Sequence, residues 1–517
     1  MSSAIPDLPT EPTKGDGRGT FLLAICCFVA TANSATIGYD SSMMNGLQIL
    51  PSYIEYFNLN THLIALNVAI VFAGSVLAMP FAGPISDKYG RKWGMAITSI
   101  IAIVGAVIQS AAVQEAMFCI GRLLVGFSVT TGATAAPAYI SEVAHPKHRT
   151  MLTGLYGTSW YVGSLMAAGI TYGSQFIDST WSWRVPSLLQ LIPSICCILP
   201  LPFLPESPRW LVYQDRHEEA RDILVKYHGD GDTRSPVVLI EYDEICQTLQ
   251  YEKTVQKTDF AALYKTRLTT FLSTFPVFNV LTCIFLTVFC QVSGNNIVSY
   301  YLGDVLTSIG IKETQTQLGI NIGLSAFNLF CAGAGAILAD PIGRRKSFLG
   351  STTIISFMLI IIAVLTKLYG NSPTTSTSAA QVALIFLFYG TYSFVWTPLA
   401  TLYPVEVLSY SMRGNGLGFY SGVVYATAFL NTFAIPYAME WSSWGFYLIT
   451  AMWNLAFELP IMYFYFPSTE RKTLEEIDII FEGIKHSNID ISVHDVMRRG
   501  VLVPGDKITT VEQEERD

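Results

Sequence analysis

The sequence predicts an all-α protein that crosses a membrane about twelve times, in two halves of six helices. Three observations carry this. Apolar residues make up 51% of the 517 positions and charged residues only 14%, against about 25% charged in a typical soluble domain. Apolar runs recur along most of the chain, and a run of about 18–25 such residues reads as a membrane-spanning helix. One polar interval, 206–273, separates six of these runs from six more.

The runs follow in order. After a polar tail, 1–20, the first half occupies 21–205, with runs at 21–44, 62–83, 94–113, 116–140, 151–172 and 185–204. The interval 206–273 contains amphipathic stretches such as "PRWLVYQDRHEEARDILVKYH", which predict short surface helices. The second half, 274–466, holds runs at 274–300, 317–338, 347–366, 380–404, 415–438 and 442–466, and a polar tail occupies 467–517.

Charge sets the expected orientation. The net charge of −8 reflects acids gathered in the polar segments. Lys and Arg cluster in "DKYGRK", "HPKHR", "DRHEEAR" and "GRRK", all between runs on one side of the predicted topology. By the positive-inside rule that side is cytoplasmic, and both termini are expected there. The first twenty residues lack the basic start of a cleavable signal. Eight of the nine cysteines lie in apolar runs, with no spacing that suggests a metal site or a disulfide framework. No nucleotide loop, nucleophile motif or metal cluster argues for an enzyme, and no cofactor or nucleic-acid partner is implied.

The two halves share a grammar. "GPISDKYGRK" (83–92) is echoed by "ADPIGRRK" (339–346), each with D-x-x-G-R-[RK]. In "PAYISEVAHPKHR" Glu142 precedes Arg149 by seven residues, and in "YPVEVLSYSMRG" Glu406 precedes Arg413 by seven. Two matches in corresponding places indicate an internal duplication, an arrangement found in transporters that hold substrate near the midplane between repeats. Asp87, Arg91, Glu142 and Arg149, with Asp340, Arg344, Glu406 and Arg413, are therefore candidates for a cytoplasmic gate. The plainer reading is that they anchor loops and set topology.

The first run contains an acid, Asp40. A charge at the bilayer centre costs roughly 2.5–3.5 kcal/mol on insertion scales, and such residues commonly mark ion pathways and have partners. Arg122, in "GRLLVGFS" of the fourth run, is the best partner in the sequence. The pair can relay a proton or simply hold two helices together. Glu458, in "NLAFELPIMYF", is a competing buried acid. No histidine lies inside a run, and His62 sits only at an edge, so a histidine relay is not expected.

Taken together, "GYD", "GPISDKYGRK", "GRLLVGFS", "PAYISEV", "PESPRWL", "QVSGNNIVSYY", "ADPIGRRK", "YPVEV" and "PSTERKTLEEID" resemble the sugar porter family of the major facilitator superfamily, from about residue 21 to 480. The last motif departs from the family's Pro-Glu-Thr-Lys-Gly opening, with Ser468 and Arg471 among the changed positions. "GYDSSMMNGL" and "SGNNIVSYYL" look most like the fungal lactose-permease-like branch, which includes cellobiose-type carriers. The resemblance implies the major facilitator fold in a lipid bilayer, a sugar and a proton as partners, and a single working chain, expected at the plasma membrane. It implies that Asp40 and Arg122 are the proton-coupling pair. It also implies substrate contacts from Gln291 and Asn296 in the seventh helix and Asn328 in the eighth.

Three pocket positions differ from hexose carriers of the family. Gly157 stands where a glutamine is common, Cys290 replaces the first of paired glutamines, and Thr401 replaces a stacking tryptophan. All are smaller, so extra room is expected, suited to a disaccharide such as lactose or cellobiose, or to a non-sugar metabolite. Tyr156, Trp160, Trp396 and Tyr425 are candidate replacement stacking surfaces. The expected function is a proton–sugar symporter working by alternating access. The alternatives are a passive facilitator with a structural Asp40, a carrier of a fungal secondary metabolite, and last a sugar-sensing receptor, for which the acidic ending "TTVEQEERD" offers no signalling module.

Overall fold

The computed structural model describes residues 18–144, 149–229, 231–233, 235–255, 277–370, 374–407 and 413–466, which are almost wholly helical. The terminal tails and 256–276, and the expectations placed on them, lie outside the described residues. The first half contains α1 (Arg18–Ile49), a short α2 (Pro51–Phe57), α3 (Thr61–Tyr89), α4 (Arg91–Ser110), α5 (Glu115–Val143) and α6 (Arg149–Ser174). Its sixth crossing is broken into α7 (Trp181–Leu189) and α8 (Leu191–Ile198). The polar interval folds into α9 (Pro208–Tyr213), α10 (His217–His228) and α11 (Pro236–Val255), which pack on one another through Leu211, Leu224, Val238 and Ile245. The second half contains α12 (Val277–Val292), α13 (Asn295–Ser308), α14 (Thr314–Ile342), α15 (Arg344–Tyr369), α16 (Thr375–Val407), α17 (Arg413–Trp453) and α18 (Leu459–Tyr465).

Among the described residues, eight helical stretches are long and apolar enough to cross a bilayer. One of them, Phe419–Tyr465, has 47 residues, about 70 Å of helix at 1.5 Å per residue. That is more than twice a hydrocarbon core of ~30 Å. It bends at Ser442 (φ −169°, ψ 101°) and makes two crossings. With α1, α6 and the α12–α13 pair the count is twelve, the major facilitator architecture. Large apolar side chains such as Leu77, Ile100, Phe330, Phe357 and Phe464 stay exposed on the outside, the surface a bilayer covers.

Within the first half α1 packs on α6, and α5 on both α3 and α4; within the second, α16 packs on α14 and α15, and α17 on α12 and α15. The halves meet along α3–α17, α6–α14, α6–α16 and α1–α13. Small residues allow the closest crossings, because lipid supplies no hydrophobic drive and backbone approach replaces it. A Cβ on Gly38 would lie 1.7 Å from the Trp160 carbonyl oxygen, and one on Gly163 1.8 Å from that of Ala35. The seventh crossing is interrupted at Ser293–Gly294, where Gly294 takes φ +99°, a left-handed value that glycine adopts without steric cost.

Candidate transport site

Four elements converge on Asp40. Arg122 of α5 donates from Nη1 to Asp40 Oδ1 at 3.0 Å and from Nη2 to Oδ2 at 3.4 Å. Gln190, at the α7–α8 break, donates from Nε2 to Oδ1 at 3.0 Å. Arg122 Nε donates to the Asn67 carbonyl of α3 at 2.5 Å. Asp40 is 3% exposed and Arg122 0%, so water does not screen the pair. An ion pair this deep is costly to break from one side, typically 3–5 kcal/mol, because the surviving charge stays buried. Gln190 was not foreseen from sequence. Its signal there is a lone amide within the apolar sixth run.

Beside this cluster lies a cavity of about 250 Å³, lined from the first half by Asp40, Gly157 and Trp160 and from the second by Cys290, Gln291, Asn296 and Thr401. Asn296 Nδ2 donates to Gln291 Oε1 at 3.0 Å, and Cys290 Sγ meets the Tyr392 hydroxyl at 3.2 Å. The walls are heavily aromatic. Tyr392 stacks on Trp396 (6.0 Å, 8°) and Phe72 on Tyr425 (6.2 Å, 17°). Tyr156, Trp160, Trp396 and Tyr425 all line the cavity, and the Tyr156 hydroxyl and Trp396 indole nitrogen are buried without a hydrogen-bond partner.

Two of the candidate positions are taken up by packing between helices. Asn328 does not line the cavity. It is fully buried, with neither amide atom hydrogen-bonded. It lies between Ser325, bonded to Ser164 at 3.1 Å, and Ala332, whose carbonyl accepts from Thr158 at 3.3 Å. Residues three and four apart share one helix face, so that face of α14 is taken by α6. The room expected at Gly157 is also filled: a Cβ there would meet the Thr397 carbonyl at 2.9 Å and Thr401 Oγ1 at 3.2 Å. With no side chain at Gly157, α16 comes close to α6 at this point of the cavity wall.

The cavity is closed at one end. Asn45 Nδ2 reaches Asn321 Oδ1 at 3.4 Å, Asn45 Oδ1 accepts from Leu302 N at 3.1 Å, and Ser41 bonds to the Tyr300 hydroxyl at 3.1 Å. His62 bonds to the Tyr437 hydroxyl at 2.6 Å at the same end. The lining continues the other way, through Pro137, Ala400, Thr401 and Tyr420, toward the end that carries Arg91.

At that basic end Arg91 bridges Asp87 (3.3 Å) and Glu142 (3.1 Å). Glu142 also accepts from the Ser207 hydroxyl, and Trp210 Nε1 donates to the Asp87 carbonyl at 2.9 Å. Glu206 accepts the backbone N–H groups of Arg91 (3.1 Å), Lys92 (3.2 Å) and Ser207 (2.9 Å), capping the start of α4. Burial pushes the Glu206 carboxyl above its usual value, opposed by those N–H bonds and by Arg91. Asp87, Arg91 and Glu142 are thus brought together. Arg344 is buried at the start of α15, whereas the side chains of Arg149, Asp340, Glu406 and Arg413 lie outside the described residues.

The sequence profile described as "Sugar (and other) transporter" matches residues 26–481. The chain belongs to that family of the major facilitator superfamily. This transporter family member is 27% identical over 470 residues to the MFS-type transporter criB of Aspergillus cristatus, covering 90% of this chain and 94% of that one. It is 27% identical over 469 residues to a high-affinity glucose transporter of Kluyveromyces lactis, covering 87% and 83%. Its fold is similar to that of the E. coli proton:xylose symporter XylE bound to 6-bromo-6-deoxy-D-glucose (TM-score 0.75, 21% identity, 90% of this chain and 100% of that one). None of the three is a disaccharide carrier by name, so the lactose-permease-like expectation rests on its own residues.

Proposed function

We propose that this transporter is a proton-coupled sugar symporter that works by alternating access, with its basic end and both termini in the cytoplasm of a cell whose plasma membrane it spans. The observation that carries the reading is the Asp40–Arg122–Gln190 cluster, placed at the closed end of a cavity that faces the basic end. In this conformation the charges of the pair cancel. A change that opens the closed end separates Tyr300 from Ser41, next in sequence to Asp40, and weakens the pair. Asp40 then takes a proton from outside, sugar binds beside it, and closure carries both inward. Loss of the proton restores the bond to Arg122.

The driving force is adequate. A membrane potential of 100 mV adds roughly 2.3 kcal/mol per charge and one pH unit about 1.4 kcal/mol, enough for accumulation on the order of a few hundred-fold. The substrate in this reading is a hexose. Gln291 and Asn296 supply paired donors and acceptors for hydroxyls, and the cavity of about 250 Å³ lies below the usual range of about 300–1,000 Å³ for drug-sized ligands. A disaccharide would need the α6–α16 crossing at Gly157 to open. The glucose transporter of Kluyveromyces lactis supports the smaller sugar. The aromatic walls favour a second reading, a substrate with a larger apolar face than a bare hexose.

The test is external alkalinisation when glucose, xylose, lactose or cellobiose is added to transporter-null cells expressing the chain, beside Asp40→Asn. The expected result is a sugar-specific pH rise that the variant loses, while it still exchanges labelled sugar. Equal sugar entry without a pH change in both would make the protein a facilitator. Silence with every sugar would move the reading to the apolar substrate.

A further inference from the structure

Glu458 is the second acid in the membrane interior, and it is placed differently from Asp40. It is 0% exposed, at the end of the π-helical turn Asn454–Glu458 between α17 and α18. Trp453 Nε1 donates to its Oε1 at 3.2 Å, and Oε2 has no partner. The titratable groups on elements packed against it include the Cys290 thiol of α12, Arg344, Arg345 and Lys346 at the start of α15, and Tyr447, Tyr463 and Tyr465 on its own helices. Among the described residues none of them bonds to it. Arg345 turns instead to the Tyr463 carbonyl and lies 5.0 Å over that ring.

Its surroundings are short of donors. One turn before it, Asn454 donates from Nδ2 to the Ser293 carbonyl at 3.2 Å, at the interruption between α12 and α13. The Ser293 hydroxyl, Asn454 Oδ1 and Glu458 Oε2 are all buried and unpartnered. A lone carboxylate in such a place is expensive, and the group neutralises instead. π-Helical turns interrupt regular helices at few places, often at functional sites.

We propose that Glu458 is a second proton-binding site of the transport cycle, occupied in this conformation and linked to the break in the seventh crossing. This rests on Asp40 being the first such site. Asp40 is already paired with Arg122 here, whereas Glu458 holds its proton, so both acids load from outside and Glu458 is the later of the two to release inward. Space for water lies one side chain away, beyond Trp453. Trp453 also lines a second cavity of about 130 Å³ with Gly294, Asn431 and Thr450, and a buried water needs only about 10–15 Å³ and a few polar partners. Asn431 in turn donates to the Gln291 carbonyl at 2.6 Å, beside the main cavity. When α13 swings relative to α12, before the carrier turns outward again, the Ser293 carbonyl leaves Asn454, water reaches Glu458, and the carboxyl gives its H⁺ to that water on the basic side and becomes a carboxylate.

The test has two arms. Infrared spectra of the purified chain at neutral pH should contain a protonated-carboxyl C=O stretch that Glu458→Gln removes and Asp40→Asn retains. This arm does not depend on transport, so it stands even if the symport reading fails. In vesicles, the proton-to-glucose ratio should fall by one in Glu458→Gln while labelled-glucose counterflow continues. A difference spectrum showing only a carboxylate band would overturn the proposal. So would an unchanged ratio, which would reduce Glu458 to a structural carboxyl. If the glutamine variant does not fold, Glu458→Asp should shift the carboxyl band, and an unshifted band would overturn it equally.

Discussion

Single residues divide here by what compensates them. Asp40 has a guanidinium and an amide, and Glu206 has three backbone N–H groups, two of them at the start of α4. Glu206→Ala should therefore lower the melting temperature in detergent at every pH, by the equivalent of about 0.5–2 kcal/mol for a lost cap. Glu206→Gln separates the charge from the bond. Because burial raises the Glu206 carboxyl above its unfolded value, the part of its contribution tied to protonation is present in acid and lost as pH rises through the folded value. Stability of the native chain relative to Glu206→Gln should thus fall as pH climbs above the ordinary carboxylate range; a pH-independent difference would refute this. The sequence exposed both partners, in "PESPRWL" and "GRK", but not that they touch across more than a hundred residues. A tertiary cap leaves no trace in local spacing.

Among whole elements, hydropathy was a dependable guide and packing was not. Twelve apolar runs are a property of composition, so the crossings were legible. The break at Ser293–Gly294 was less so, because "QVSGNNIVSYY" stays apolar enough to read as one run. Comparison with the glutamine of hexose carriers suggested empty space at Gly157, yet helices in lipid close on small residues. The same crossing logic makes Gly163 unreplaceable. A Cβ would sit 1.8 Å from the Ala35 carbonyl oxygen, so Gly163→Ala should part α1 from α6, costing on the order of 1–3 kcal/mol or more. Reduced thermal stability, with less protein reaching the cell surface, is the expected outcome, whereas Gly173→Ala, with nothing within 4 Å of its Cβ, is the tolerant control.

At the level of the whole molecule, the first-half groups around Asp40, Arg122 and Gln190 come from four segments that sequence order scatters over 150 residues. The acid and its arginine were legible because charges are rare in apolar runs, whereas an amide on a helix, such as Asn328, does not reveal which neighbour claims its face. The cancellation between Asp40 and Arg122 has an electrical consequence. Counting the Asp40–Arg122 pair alone, the empty carrier reorients with a net-neutral interior and the loaded one carries a positive charge. Voltage then accelerates only the loaded half of the cycle. Sugar-evoked current should grow with hyperpolarisation and then flatten, once the voltage-blind return of the empty carrier sets the pace; a current that keeps rising steeply would mean that charge also moves on the way back.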